Sequence, residues 1–233
     1  MNTGIHNGKK ISYLLKIIVF ISAAFGVFLS SYAGRNSFMG GAGVFMFFTI
    51  QSNIAIALIC AVGLYLQTRE RNENKVWYII RFVGTVAITL TGFVFVVVLS
   101  PTLGAGAWNI QNVLTHVVVP IAAVAVFFVE SSDVRIKKIN VLYVTVPPLL
   151  YAVYAGIGYV QGWKFYEDKN YPYFFLNWGS PAGAFGFTDE LPFMGCVWWM
   201  LILTVFLIGV GLCYLVMADK INDKRQVGDR EKN

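Results

Sequence analysis

The chain has 233 residues, 57% of them hydrophobic and only 13% charged, with a mean hydropathy of +0.64. A soluble domain carries roughly 45–50% apolar and about 25% charged residues, so this chain holds more apolar surface than its polar residues can cover. That excludes a disordered chain, a nucleic-acid-binding module and an ordinary cytosolic enzyme, and it makes the net charge of +6 a statement about membrane topology first.

A hydrocarbon core of about 30 Å takes about 20 apolar residues of helix. Six stretches meet that length: Ile11–Tyr32, Val44–Leu66, Val76–Leu99, Gln111–Val129, Ile139–Val160 and Phe193–Met217. Barrel strands need only about 10 alternating residues, and helices satisfy their own backbone in lipid. The expectation is an all-α polytopic membrane protein: a six-helix transmembrane domain over residues 1–218 and a polar cytoplasmic tail over 219–233. Lys9-Lys10, an apolar run and Ser31-Tyr32-Ala33 resemble a signal peptide. The run is too long for one and is interrupted by Lys16, so it reads as the first span.

Lys9 and Lys10 precede span 1, Arg69, Arg71 and Lys75 separate spans 2 and 3, Arg135, Lys137 and Lys138 separate spans 4 and 5, and Lys220, Lys224, Arg225, Arg230 and Lys232 follow span 6. These are alternate connections. The other side carries Arg35, Lys164 and Lys169. The positive-inside rule then makes both termini cytoplasmic. Lys16, Arg81 and Glu130 fall near that boundary, where they read as interface anchors with an Arg81–Glu130 pair in reach. Cys60, Cys196 and Cys213 lie in apolar stretches without ligand spacing and read as small hydrophobes.

Two polar clusters interrupt the apolar spans. Span 2 holds Thr49, Gln51, Ser52 and Asn53; span 4 holds Asn112, Thr115 and His116. Thr49 is five residues past Val44 and His116 five past Gln111. At 1.5 Å per residue both lie roughly 8 Å below the outer boundary. Thr49/Asn53 and Asn112/His116 are each i, i+4 pairs, so each pair shares a helix face. A threonine hydroxyl needs a neighbouring base to become a nucleophile, and histidine is the side chain whose ordinary pKa suits that role near neutrality. Ser52, Asn53, Asn112 and Gln51 are candidate substrate-binding or oxyanion donors. The pieces fit ester hydrolysis by Thr49 and His116 on a lipid reached sideways. Membrane helices also use Ser, Thr, Asn and Gln as packing contacts. A transporter, a lipid- or signal-binding protein and a scaffold therefore stand as alternatives. No metal or organic cofactor is implied, since no His/Cys/carboxylate set has ligand spacing in the spans. The expected partners are membrane lipids and a lipid ester, not nucleic acid.

The long segment Gln161–Pro192 is rich in aromatic residues and glycine. It reads either as an interfacial aromatic belt or as a lid, with Trp163, Tyr171, Tyr173 and Trp178 as lid residues and Asp168, Asp189 or Glu190 able to reach toward His116. Pro120 is expected to kink span 4 and Pro147-Pro148 to bend span 5.

The clusters at Phe48–Asn53 and Asn112–Pro120 resemble the androgen-induced protein superfamily, which includes the FAR-17a and androgen-dependent TFPI-regulating proteins. The similarity rests on Phe48-Thr49-Ile50-Gln51-Ser52-Asn53, on Asn112 and His116 followed by Pro120, and on Gly162-Trp163 with Tyr171-Pro172-Tyr173-Phe174. It departs at Val117, where animal members tend to carry a hydroxyl residue. The resemblance implies a six-span hydrolase of fatty acid esters of hydroxy fatty acids that uses Thr49 and His116. Its similarity to bacterial members implies a bacterial cytoplasmic membrane.

Overall fold

Each apolar stretch long enough to cross a bilayer is helical in the computed structural model, which describes residues 3–33, 41–71, 73–130, 132 and 134–230. The helices are α1 (Thr3–Ala33), α2 (Phe48–Thr68), α3 (Lys75–Ala107), α4 (Ile110–Val129), α5 (Lys138–Val160) and α6 (Cys196–Arg230). The protein is thus an all-α, multi-pass membrane bundle. Arg35 and Lys232, counted above among the topology-setting cations, lie outside the described residues.

Local chemistry sets several boundaries. Asn74 and Asn109 cap α3 and α4: their side-chain oxygens accept from Trp77 N at 2.9 Å and Asn112 N at 3.0 Å. Span 2 starts later than the hydropathy suggests, because Gly41–Met46 forms a tighter 3₁₀ turn and Phe47 is extended. Span 6 starts at Cys196, since Phe193 has a positive φ of 64° and Met194 pairs with Phe187. Its helix runs on through the polar tail to Arg230, with Asp219 and Asp223 both against Arg135.

Prolines shape the other spans. α3 runs eight residues past its expected end at Leu99, and it crosses Pro101 through a π-helical turn, Val94–Leu99, in which Ser100 N–H bonds Phe95 O. α4 does the same before Pro120: Leu114–Val118 is π-helical and Val119 N–H bonds Leu114 O. A proline ring removes one donor and crowds the carbonyl four residues back, and a widened turn relieves that crowding. In α5, Pro147 and Pro148 open the α-helical part at Val146, and the preceding Lys138–Thr145 is 3₁₀.

The packing has two layers. Val19 and Ala23 of α1, Ile56 and Cys60 of α2, Ile88 of α3 and Val119 and Ala123 of α4 form one core. Phe82, Val86 and Leu90 of α3, Phe127 of α4, Val144 and Tyr151 of α5 and Leu207 of α6 form the second. α3 belongs to both and is the most buried span, at 56% of its most apolar window against 17% for α6. Apolar side chains elsewhere face outward, as Val205 at 70% exposure does, and that is the surface lipid covers.

At the end bearing the termini, the ionisable residues turn inward instead of snorkelling. Lys16, 2% exposed, bonds Glu130 at 2.5 Å and Gln67 at 3.0 Å, while Arg81, 5% exposed, pairs with Glu73 at 2.5 Å and Glu130 at 2.7 Å. Two cations and two carboxylates balance, and they fasten α1, α2, α3 and the end of α4 together. Cys60 and Cys196 are buried, but Cys213 faces outward.

Candidate active site

Thr49 stands in the first turn of α2 and His116 in the π-turn of α4, and Thr49 Oγ1 is 3.3 Å from His116 Nε2. The other ring nitrogen, Nδ1, is 3.0 Å from the Asn112 carbonyl and 3.0 Å from Thr115 Oγ1, whose own hydroxyl donates to Gln111 O at 2.8 Å. A carbonyl only accepts. In the neutral imidazole the proton therefore sits on Nδ1, and Nε2 is left as an acceptor aimed at the Thr49 hydroxyl. That is the arrangement a general base requires.

The ring is held on its faces as well. Phe95, from the π-turn of α3, stacks on it at a centroid distance of 4.0 Å and 24°. The two widened turns thus face one another across α3 and α4. Glycine permits the approach: a Cβ on Gly92 would lie 2.9 Å from the His116 carbonyl, and one on Gly26 would lie 2.7 Å from Thr115 Cγ2. His116 is 8% exposed and does not line the adjoining cavity. The base sits behind the hydroxyl.

Tyr173, from the segment between α5 and α6, completes the site. Its phenol oxygen accepts from Thr49 N at 3.3 Å and lies 3.4 Å from Thr49 Oγ1. With the threonine proton committed to Nε2, the phenol proton is the one available to the Oγ1 contact. Burial pushes the Tyr173 phenol above its ordinary value, so it stays a donor. Its ring is fixed edge-on to Phe47 at 5.8 Å and stacked on Phe175 at 5.1 Å.

The other residues singled out in the sequence divide. Asn53 is fully buried, and its Nδ2 donates to Thr49 O at 2.8 Å and Thr115 O at 3.1 Å, tying the backbones of α2 and α4 together beneath the dyad. Ser52 bonds Thr91 Oγ1 at 2.7 Å and Thr49 O at 3.0 Å, bracing α2 on α3. Asn112 acts on His116 through its carbonyl, while its side chain donates to Ala107 O at 2.9 Å. None of these three side chains is directed to Thr49 Oγ1. Gln51 leaves the site altogether: it is exposed and donates to Phe45 O at 3.1 Å, because two residues of helix carry it to the opposite face from Thr49.

Of the four lid residues, only Tyr173 reaches Thr49. Trp163 packs on Tyr154 at 5.4 Å and Tyr171 on Tyr166 at 6.0 Å, and neither they nor Trp178 line the cavity. Asp168, Asp189 and Glu190 are exposed, with Asp168 facing Lys164, so the carboxylate partner sought for His116 is replaced by a backbone carbonyl.

Beside the dyad lies a partly open cavity, walled by α2, α3, α5, α6 and the Tyr173–Leu176 stretch. Thr49 forms part of its wall, and most of the remainder is aliphatic or aromatic. Among the described residues no group of three or more His, Cys, Asp or Glu side chains converges to hold a metal. No family model, curated protein or solved structure matches the chain.

Proposed function

We propose that the protein is an intramembrane lipid-ester hydrolase in which Thr49 is the nucleophile and His116 the general base. The observation that carries this reading is the 3.3 Å contact of Thr49 Oγ1 with the unprotonated ring nitrogen of His116 at the wall of an apolar cavity. Thr49 Oγ1 attacks the ester carbonyl carbon as its proton passes to His116 Nε2. The carbonyl π electrons move onto oxygen, and the Tyr173 hydroxyl turns from Thr49 Oγ1 to donate to that oxyanion. Collapse breaks the bond to the alcohol oxygen, which takes the proton from Nε2 and leaves as the free alcohol. Water then attacks the acyl-threonine, gives a proton to Nε2, and a second collapse returns that proton to Thr49 and frees the acid. Throughout, the Asn112 carbonyl keeps the Nδ1 proton in place and supports the imidazolium.

The span-2 and span-4 motifs support placing the chain with the androgen-induced protein superfamily, and fatty acid esters of hydroxy fatty acids are then the substrate class to try first. The alternating cations support cytoplasmic termini and a dyad toward the outer face. Purified protein, Thr49→Ala and His116→Ala are to be assayed on such esters in detergent micelles. Loss of turnover by about 10³-fold or more in both variants is expected for a nucleophile and its base. A fluorophosphonate adduct mapped to Thr49 by mass spectrometry gives a second readout. Equal turnover in all three proteins overturns the assignment.

A further inference from the structure

The cavity beside Thr49 is not closed on all sides. α6 packs closely on the 3₁₀ half of α5 and on Phe174–Leu176, but only slightly on the α-helical half, Val146–Val160. The two helices therefore meet toward the termini and part toward the dyad. Pro148 and Leu149 form one lip of the gap, with Leu149 45% exposed, and Met200, Leu203 and Thr204 form the other. These lips lie on the surface that lipid covers, so the opening is lateral.

The chemistry of the wall is equally specific. Its only polar side chains are hydroxyls, and among the described residues no Lys, Arg, His, Asp or Glu lines it. Most of those hydroxyls are already engaged: Thr91 with Ser52, Tyr151 with the Met46 carbonyl at 3.1 Å, and Tyr173 with Thr49. An anionic group drawn inside loses its hydration and finds no cation to replace it. A neutral ester needs only one donor for its carbonyl, and its chain finds apolar surface.

We propose, building on the hydrolase reading, that this cavity is a lateral acyl slot selective for uncharged lipid esters, of acylglycerol or alkyl-ester type. They enter between α5 and α6 from the outer leaflet. Lipids with a phosphate next to the scissile ester are rejected. A carboxylate many bonds from the ester remains compatible, because it can stay in the headgroup water while the ester reaches Thr49.

The experiment uses the full chain carrying Thr49→Ala in phosphatidylcholine nanodiscs, so that bound lipid is not turned over. Two photo-crosslinking probes with identical diazirine-bearing acyl chains are compared, a diacylglycerol and a phosphatidylglycerol. The diacylglycerol is expected to label peptides containing the buried wall residues Leu90, Val94 and Leu207, which bulk lipid does not touch, at least tenfold more than the phosphatidylglycerol. Thr204→Trp and Leu149→Trp, one on each lip, are each expected to lower that labelling at least fivefold, with a monodisperse elution profile showing that each variant is folded. Equal labelling by both probes, or labelling of these peptides untouched by both folded variants, overturns the proposal. Selective labelling by a protein whose wild type hydrolyses no ester leaves the slot standing and removes the hydrolase reading instead.

Discussion

His116 turns Nε2, not Nδ1, toward the Thr49 hydroxyl, because Nδ1 is spent on the carbonyl of Asn112 one turn earlier in the same helix. In hydrolases built on a serine or cysteine, a carboxylate commonly fixes the catalytic imidazole. Here a backbone acceptor does so, and the buried imidazole is oriented without a carboxylate beside it. The tautomer is therefore a property of the α4 backbone, and it can be observed directly.

Nitrogen NMR of ring-labelled protein should report His116 as the Nδ1–H tautomer at neutral pH. His6 is the only other histidine, so a His6→Ala protein isolates the signal. A resonance pattern with the proton on Nε2 would reverse the donor and acceptor roles at Thr49 and deprive the hydroxyl of its base.

Tyr173→Phe removes one hydroxyl and keeps the ring that packs on Phe47 and Phe175. If the phenol serves the oxyanion, kcat should fall by about 10²-fold with little change in KM, in line with the loss of a single oxyanion donor. Thermal stability should move by less than about 1 kcal/mol, because the lost hydrogen bonds are long. A drop in stability with kcat unchanged would make Tyr173 a packing residue only.

Pro120→Ala tests whether the π-turn is what aims His116. The substitution restores the N–H that the turn accommodates, so Leu114–Val118 is free to relax to α-helix and rotate the imidazole away from Thr49. Loss of a prolyl clash stabilises an isolated helix by about 3 kcal/mol, so the protein should remain folded. Activity should nonetheless fall at least tenfold, since small displacements of a reacting group are costly. Unchanged activity would show that contacts from Phe95 and Gly92, not the turn, hold the ring.

How much of this was legible follows physical lines. Spans are written in long apolar runs, and the polar residues within them stood out because lipid offers them no partner. Helical periodicity placed Thr49 with Asn53, and the same periodicity already argues against Gln51, two residues on and exposed. Pro120 signalled a disturbance, but whether a proline kinks a helix or widens a turn depends on how the neighbouring helix packs, here through Gly92. Tyr173 was visible only as one aromatic among many in a long connection. Its approach to Thr49 is set by tertiary packing on Phe47 and Tyr151, which no local pattern encodes. The side chains of Asn112 and Asn53 bond backbone carbonyls for a related reason: amides within a bundle take the nearest backbone groups before they serve a ligand.

The charged cluster at the opposite end yields a prediction independent of catalysis. Lys16 is almost wholly buried and Glu130 is 23% exposed at its side chain, so the two partners do not stand equally. Without the Glu130 charge, Lys16 is left a buried ammonium with only the Gln67 amide, while Arg81 still has Glu73. Without Lys16, Glu130 keeps Arg81 and some water. Glu130→Gln should therefore destabilise the protein more than Lys16→Met, approaching the ~3–5 kcal/mol typical of a broken buried pair. The double variant should be more stable than Glu130→Gln alone, because the orphaned cation is gone, and the coupling between the two sites should exceed about 1 kcal/mol. Unfolding in detergent measures all three. Additive effects, or a larger loss from Lys16→Met, would show that this cluster is solvated in the membrane and that burial of Lys16 does not govern how α1 is held.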